Sequence, residues 1–333
     1  AKLSISSSEM VKFSDSVVNL EKIWNETSYS IKSIRDNPVS AKEEYDLIEK
    51  FDDQGLVAID NFKFSTQLPA FNQNLKPKVA IFREQGVNGQ NEMAAAFILA
   101  GFEASDIHMQ DVLDNPSLLE EFQGLAACGG FSYGDVLGAG GGWSSSIRYN
   151  NGVRDAFEHF FNRDETFTFG VCNGCQMLSN IKDLIPGAEN WPEFLWNESD
   201  QFEARLSQVT IAQSKSVLLD GMEGWQIPVA VAHGEGRASF AENALKLLSE
   251  QHQIAVQFTD NKGVVASSYP LNPNGSPEGI TGLTSTDGRA TIMMPHPERV
   301  FRSQQMSWKS PKWKEYSPWM QIFINAYKFS QES

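Results

Sequence analysis

Residues 168–176 read Thr168-Phe169-Gly170-Val171-Cys172-Asn173-Gly174-Cys175-Gln176. A β-rich run stops at a glycine, presents one thiol, meets a second glycine and turns helical. This is the pattern of a nucleophile elbow, where one residue is forced onto a sharp strand-to-helix turn. Glycines two positions before and after it are required, because a β-carbon there would collide with the neighbouring turn. Gly170 and Gly174 meet that requirement for Cys172. The turn also aims the sulfur at the first amides of the next helix, whose partial positive charge favours thiolate. Cys172 is therefore the candidate nucleophile. The Cys172-x-x-Cys175 spacing also suits a redox dithiol or half of a zinc site. With only three cysteines in the chain, no second pair completes a four-thiolate site, and no metal is expected. Cys175 has Asn173 and Met177 at the offsets where the glycines would stand, and reads as a small buried helix residue.

A thiolate nucleophile needs a base, a group that orients the base, and donors for an oxyanion. Of five histidines, His108, His159 and His252 have no carboxylate in a fixed relation and read as structural. His233-Gly234-Glu235 and His296-Pro297-Glu298 each follow an apolar strand, and residues two apart in an extended chain project to one side. Spacing does not decide between the pairs. The prolines favour the second, since Pro295 and Pro297 restrict the backbone around His296, whereas Gly234 and Gly236 leave His233 loose. His296 with Glu298 is thus the preferred base and orienter, with His233 in a pocket wall or loop. For the oxyanion, Gly129-Gly130-Phe131-Ser132-Tyr133-Gly134-Asp135 follows the strand expected beside that of Cys172. Paired glycines let backbone N–H groups turn toward a ligand, so Gly130 and Phe131 with the Asn173 amide are the expected donors. The run 138–142 is glycine-rich but lacks the Gly-Lys-Ser/Thr ending of a nucleotide loop.

The elements that must position these residues alternate from Pro77 onward. Strands are predicted at 79–82, 106–109, 124–128 and 167–171, with helices at 92–100, 118–122 and 143–161, the last as one long helix. This rhythm predicts an α/β fold: a doubly wound, mostly parallel sheet with helices on both faces and the site at the carboxyl ends of its strands. Further strands, some antiparallel, are expected at 205–212, 227–232, 254–258, 279–283 and 290–294, and a closing helix at 319–329. Residues 1–76 are polar and mixed, with a helical pattern at 18–29, an acidic stretch at 43–53, and turn or linker signals at Asp36-Asn37-Pro38 and Leu75-Lys76-Pro77. That segment is expected to lean on a partner surface or on the rest of the chain.

At 333 residues, 41% hydrophobic, the chain can bury an ample core. A formal net charge of −15 disfavours nucleic acid or anionic membrane as partner, because phosphate requires a basic surface. The few cysteines, the lack of a signal-peptide pattern and the lack of a spanning apolar run lead to a cytoplasmic expectation. The chain begins with Ala1 rather than Met, as expected of a processed chain or a piece of a longer one.

The runs Gly170-Val171-Cys172-Asn173-Gly174-Cys175-Gln176, Gly129-Gly130-Phe131-Ser132-Tyr133-Gly134-Asp135 and Pro295-His296-Pro297-Glu298-Arg299 together resemble the triad class of glutamine amidotransferases. More narrowly, Arg83-Glu84-Gln85-Gly86-Val87-Asn88, His233-Gly234-Glu235-Gly236-Arg237 and Asn272-Pro273-Asn274-Gly275-Ser276 resemble the glutaminase domain of large single-chain phosphoribosylformylglycinamidine synthases. The resemblance implies a flavodoxin-like glutaminase domain at 77–333, with 1–76 as the tail of a synthetase portion and a linker. It implies Cys172 as nucleophile, His296 as base, Glu298 as its partner, and Gln176 as a residue that holds the substrate glutamine. Ammonia would pass to a synthetase portion that joins it to formylglycinamide ribonucleotide. That portion, not this chain, would use ATP and Mg, so no cofactor is expected here. The expected partners are glutamine and the other domains of such an enzyme. The chain departs from the family pattern at Gly89-Gln90-Asn91, Gly141 and Ser145, which bears on local contacts and leaves the triad intact. The alternative is a cysteine peptidase or chaperone of the related elbow-bearing fold, which pairs its thiol with an acid on a neighbouring strand and needs no His-x-Glu.

Overall fold

The computed structural model describes residues 1–8, 10–50, 53–72 and 76–332. Leu75 of the second linker signal, and two residues of the acidic stretch, Phe51 and Asp52, lie outside them. The chain opens with an exposed antiparallel hairpin, β1 (Lys2–Ser7) and β2 (Met10–Ser16). Helix α1 (Val17–Arg35) follows, capped by Ser16 accepting from the Asn19 N–H at 3.0 Å, and it buries no residue. Helix α2 (Pro38–Asp46) starts where Asn37 caps the N–H groups of Val39 and Ser40 and Pro38 supplies a preset φ.

The alternating part contains β3 (Lys78–Arg83), α3 (Gln90–Leu99), β4 (Glu103–His108), α4 (Met109–Asp114), β5 (Gly124–Ala127), α5 (Gly141–Arg148), α6 (Asn151–Asn162), β6 (Phe167–Val171) and α7 (Asn173–Asn180). Then come β7 (Glu193–Leu195), β8 (Glu203–Ile211), β9 (Gln226–His233), β10 (Arg237–Ser239), α8 (Ala244–Glu250), β11 (Ile254–Phe258), β12 (Ile280–Thr284), β13 (Ala290–Met293) and α9 (Met320–Glu332). Nine strands form one sheet in the order β4-β3-β5-β6-β13-β12-β11-β8-β9, while β7 and β10 make a separate antiparallel pair. The run β4-β3-β5-β6-β13 is parallel, and its order of appearance is the flavodoxin-like 2-1-3-4-5. The α/β class is as expected. The sheet is mixed, however, because every junction from β13 to β9 is antiparallel.

Period-2 alternation of the strands explains the layers. On β3, Phe82 faces Trp143 of α5 and Phe157 of α6, at ring separations of 5.1 and 5.4 Å. On β6, Phe167 and Phe169 point the other way, to Phe97 of α3 and Phe323 of α9. The single helix expected at 143–161 is two helices. Asn150 leaves the helical region (φ −108°, ψ 107°) and its side chain accepts from the Val153 N–H at 3.2 Å, which starts α6 afresh. Strand β4 starts earlier than expected and stops at His108, whose imidazole caps α4 by accepting from the Gln110 N–H at 3.0 Å. His108 also has a carboxylate beside it, Glu84 at 3.5 Å, so it is fixed more firmly than its spacing indicated.

Residues 53–72 lean on the rest of the chain. Ile59 bridges Gln226 of β9, Asp60 accepts from the Trp313 indole at 3.0 Å, and Phe71 meets Tyr327 of α9 at 4.8 Å. No helix among the described residues is long and apolar enough to cross a membrane.

The contrast between core and N-terminal helix gives a stability prediction. Phe323, buried against Phe97, Phe169 and Phe301, should cost about 3–5 kcal/mol when changed to alanine. Trp24→Ala, at a residue 85% exposed, should change unfolding free energy by no more than about 0.5 kcal/mol. Denaturant titration of both variants checks the pair.

Candidate active site

Three neighbouring parallel strands deliver the chemistry to one edge of the sheet. β5 runs into Cys128-Gly129-Gly130, β6 into Cys172, and β13 through Met294 and Pro295 into His296. Parallel register sets Val171 beside Met293 and Gly170 beside Ala127, and the Cys172 N–H donates to the Met293 carbonyl at 2.9 Å. Cys172 adopts φ +52°, ψ −111°, a conformation that costs a non-glycine residue about 1–3 kcal/mol. The elbow holds it there. A β-carbon on Gly174 would fall inside the Ala127 carbonyl group, and one on Gly170 would run into Leu178 and Cys175 of α7. Both glycines are therefore required by close approach, as their spacing indicated.

Cys172, His296 and Glu298 come together in the interior, exposed by 6, 1 and 0%. His296 Nδ1 lies 2.6 Å from Glu298 Oε1, with Pro297–Arg299 forming a 3-10 turn that brings the carboxylate back under the ring. The space beside Gly129 fixes the other side: a β-carbon there would stand 2.5 Å from His296 Cε1 and 3.1 Å from Cys172 Cβ. Burial by itself would lower the His296 pKa. The Glu298 carboxylate and the Cys172 sulfur, by charge and hydrogen bonding, outweigh it and raise the pKa to about 10. The imidazole thus holds its proton through neutral pH.

His233 takes the opposite state. It is buried beside His296, and burial and that neighbour's charge lower its pKa to about 3. Asn274 Nδ2 approaches His233 Nε2 at 3.2 Å and donates to the Gly236 carbonyl at 2.8 Å, while Asn274 Oδ1 accepts from the Ser276 N–H. The Asn274 amide is therefore oriented with its NH2 toward the ring, so His233 Nε2 accepts and Nδ1 carries the hydrogen. Glu235 does not pair with His233; its Oε2 accepts from the Ala139 N–H at 3.0 Å.

Cys172 opens on a cavity of about 350 Å³. Gly130, Phe131, Asn173 and Gln176, all expected at the site, line it. Gln176 Nε2 donates to the Glu235 carbonyl at 2.6 Å. Asn173 is the first residue of α7, so its N–H has no acceptor within the helix, whereas the next amide, Gly174, is committed to the Cys128 carbonyl at 3.1 Å. That leaves the Asn173 N–H as the elbow's available donor. The Asn173 side chain donates to Asp135 at 2.9 Å, and Asp135 also accepts from the Ser132 N–H, the Ser132 hydroxyl and the Gly140 N–H, each at 2.8 Å. Asp135 thus folds the glycine-rich 130–140 loop onto the elbow, which is what that loop does here.

Cys175 is fully buried within α7, where desolvation first and the Cys172 sulfur second raise its pKa well above the ordinary value. Such a thiol is the reverse of a redox-active partner. Among the described residues no group of three His, Cys, Asp or Glu side chains could hold a metal. Several pocket residues escaped the sequence reading: Trp196 and Phe202 on its rim, Asn88 and Arg299 hydrogen-bonded at 2.9 Å, and the polar core around Asn197. Asn88 and Arg299 stand within the family-like runs 83–88 and 295–299, whereas Trp196, Asn197 and Phe202 carried no signal, since the partners that hold this region lie tens of residues away in the chain.

The two histidines make opposite contributions to stability against pH. An unfolded histidine binds a proton near pH 6.5, while His233 stays neutral in the fold down to about pH 3, so stability is lost as pH falls through that window. His296 contributes stability that is present below pH 6.5 and lost as pH rises through about 10. In His233→Gln, unfolding free energy should depend less steeply on pH between 6.5 and about 3 than in the parent. An unchanged slope in pH-resolved denaturation would contradict a neutral, buried His233.

A model of the CobB/CobQ-like glutamine amidotransferase domain matches residues 76–330. Among solved structures, PurLQS from Thermotoga maritima is similar over 78% of this chain and 99% of its own, at 21% identity and a TM-score of 0.55. A glutamine amidotransferase from the same organism aligns with 78% of this chain and 85% of its own, at 15% identity and a TM-score of 0.41. The first of these likenesses supports the fold, and the domain match spans well over half of the sequence, including the elbow, the Gly129-Gly130 loop and the His-x-Glu turn. The chain belongs to the CobB/CobQ-like glutamine amidotransferase domain family.

Proposed function

We propose that this chain hydrolyses glutamine to glutamate and ammonia through a thioester on Cys172. The observation that carries the reading is the buried cluster of Cys172, His296 and Glu298 at the carboxyl ends of neighbouring strands, with His296 Nδ1 2.6 Å from Glu298 Oε1. A protonated imidazole beside a sulfur is the arrangement that activates cysteine nucleophiles. In the first half-reaction the sulfur attacks the amide carbon of the glutamine side chain. The oxyanion forms against the Asn173 N–H and the amides of Gly130 and Phe131, a single such donor being worth about 3–4 kcal/mol. His296 then gives its proton to the departing nitrogen, ammonia leaves, and a glutamyl thioester remains. In the second half-reaction His296 takes a proton from water, which attacks the thioester and frees glutamate. Glu298 holds the ring by its Nδ1 side throughout. Gln176, on the pocket wall, is assigned to holding the substrate.

The narrower proposal is that the ammonia serves a synthetase portion making formylglycinamidine ribonucleotide from formylglycinamide ribonucleotide with ATP and Mg, in purine synthesis in the cytoplasm. Residues 1–76 would then be the tail of that portion and a linker to the glutaminase domain at 77–333. The motifs at 83–88, 233–237 and 272–276 support this, as does the likeness to the structure described as PurLQS. The exposed hairpin and α1, which buries nothing, also suit a segment that continues onto another body.

A glutamine-analogue alkylator followed by peptide mass spectrometry tests the nucleophile. Label is expected on Cys172, prevented by excess glutamine and absent in Cys172→Ser, whereas label on Cys175 would contradict the proposal. His296→Ala should slow hydrolysis of the thioester by about 10²–10⁴-fold. Equal hydrolysis in that variant and the parent would remove His296 from the mechanism.

A further inference from the structure

One wall of the pocket is made largely of backbone. The Cys172 thiol faces the Ala232 carbonyl at 3.7 Å, and the Glu235 carbonyl receives Gln176. Asn197, buried and outside the triad, holds this wall by three bonds. Its N–H donates to the Gly234 carbonyl at 2.9 Å, its Nδ2 to the His233 carbonyl at 2.8 Å, and its Oδ1 accepts from the Gly236 N–H at 2.9 Å. The same Nδ2 donates to the Gln201 carbonyl at 2.9 Å, so the position of Asn197 depends on the 197–203 loop. That loop ends in Glu203, a buried carboxylate that accepts from the Ser199 hydroxyl at 2.6 Å and pairs with Arg205 at 2.7 Å. Arg205 in turn donates to the Tyr269 hydroxyl at 2.5 Å. Phe202, on the same loop, lines the pocket.

The outer side of that loop is gripped by the N-terminal segment. Gln201 Nε2 donates to Asp36 Oδ1 at 2.9 Å and the Asn37 N–H to the Ser199 carbonyl at 3.3 Å, while Tyr269, whose hydroxyl takes Arg205, donates its N–H to Glu43 Oε2 at 2.8 Å. These contacts hold the loop that gives Phe202 to the pocket lining, although residues 53–72 already tether the N-terminal segment to the body elsewhere. We propose that residues 36–43 are a positioning element for the glutamine pocket, acting through the 197–203 loop and Asn197 on the backbone of residues 232–236. This rests on the glutaminase reading. A displacement of α1 and α2 would then be felt as a change in glutamine affinity, with the thiol itself untouched.

The experiment compares this chain with Asp36→Ala/Glu43→Ala, measuring the glutamine concentration that half-protects Cys172 from the glutamine-analogue alkylator. The rate of labelling by iodoacetamide, which needs no glutamine pocket, is measured in parallel. The half-protecting concentration should rise about tenfold while the iodoacetamide rate and the melting midpoint stay at parent values. Asp36→Asn/Glu43→Gln, whose amide oxygens still accept the same N–H groups, should restore the parent value. Parent-like protection in the alanine variant would overturn the proposal, as would a rise accompanied by a lowered melting midpoint and unrestored by the amide variant. Should the double variant not fold, Gln201→Ala, which deletes the bond to Asp36, reads the same shift. Absence of glutamine protection in the parent chain would instead overturn the glutaminase reading itself, so the two failures are distinguishable.

Discussion

The strained backbone of Cys172 is the constraint on which the rest of the site depends. At φ +52° the residue cannot relax into β6 or α7, and what keeps it there is the close fit of Gly174 against Ala127 and of Gly170 against α7. That fit requires β5 and β6 to be adjacent and in register, and it orients α7 so that the Asn173 N–H emerges beside the sulfur. The energy stored is small beside the burial of the surrounding core, and so the fold can carry it. Its return is a thiol presented at the sheet edge in a defined direction.

The two neighbouring histidines show how environment assigns chemistry to one residue type. Both are buried, and burial alone would neutralise each. His296 has a carboxylate under one nitrogen and the Cys172 sulfur nearby, so its charge is favoured. His233 is buried, meets a donating amide and has a charged neighbour, so its neutral form is favoured. One site can therefore hold a proton donor and a fixed acceptor in adjacent rings, with no change in amino-acid type. The Asn274 amide is central to the second, because its orientation decides the tautomer.

The wall opposite the thiol is held by a different principle. Asn197 and Asn274 satisfy backbone groups of residues 233–236 that would otherwise be buried without partners, and so they convert a glycine-rich loop into a rigid surface. Gly234 and Gly236 leave that loop free when it is considered alone. Its rigidity is borrowed from side chains 36 to 41 residues distant in the chain.

The elbow, the Gly129-Gly130 turn and the proline-bracketed His296 were legible in the sequence because each is a local device. Glycine at fixed offsets, proline on both sides and strand alternation act over a few residues, and their physics does not wait for the fold. The strands at 254–258 and 167–171 could likewise be read from short apolar runs. The break at Asn150 was not, because the apolar period continues through it and only the cap reveals the new start. Equally hidden were the pairing of Glu235 with Ala139, the hold of Asp36 on the pocket loop and that of Glu43 on Tyr269. The sequence by itself determined where the elbow, the paired glycines and the proline-bracketed histidine stand. The tertiary structure alone decided which histidine is charged and what holds the pocket wall, because desolvation and hydrogen bonding between distant segments exist only once those segments have met.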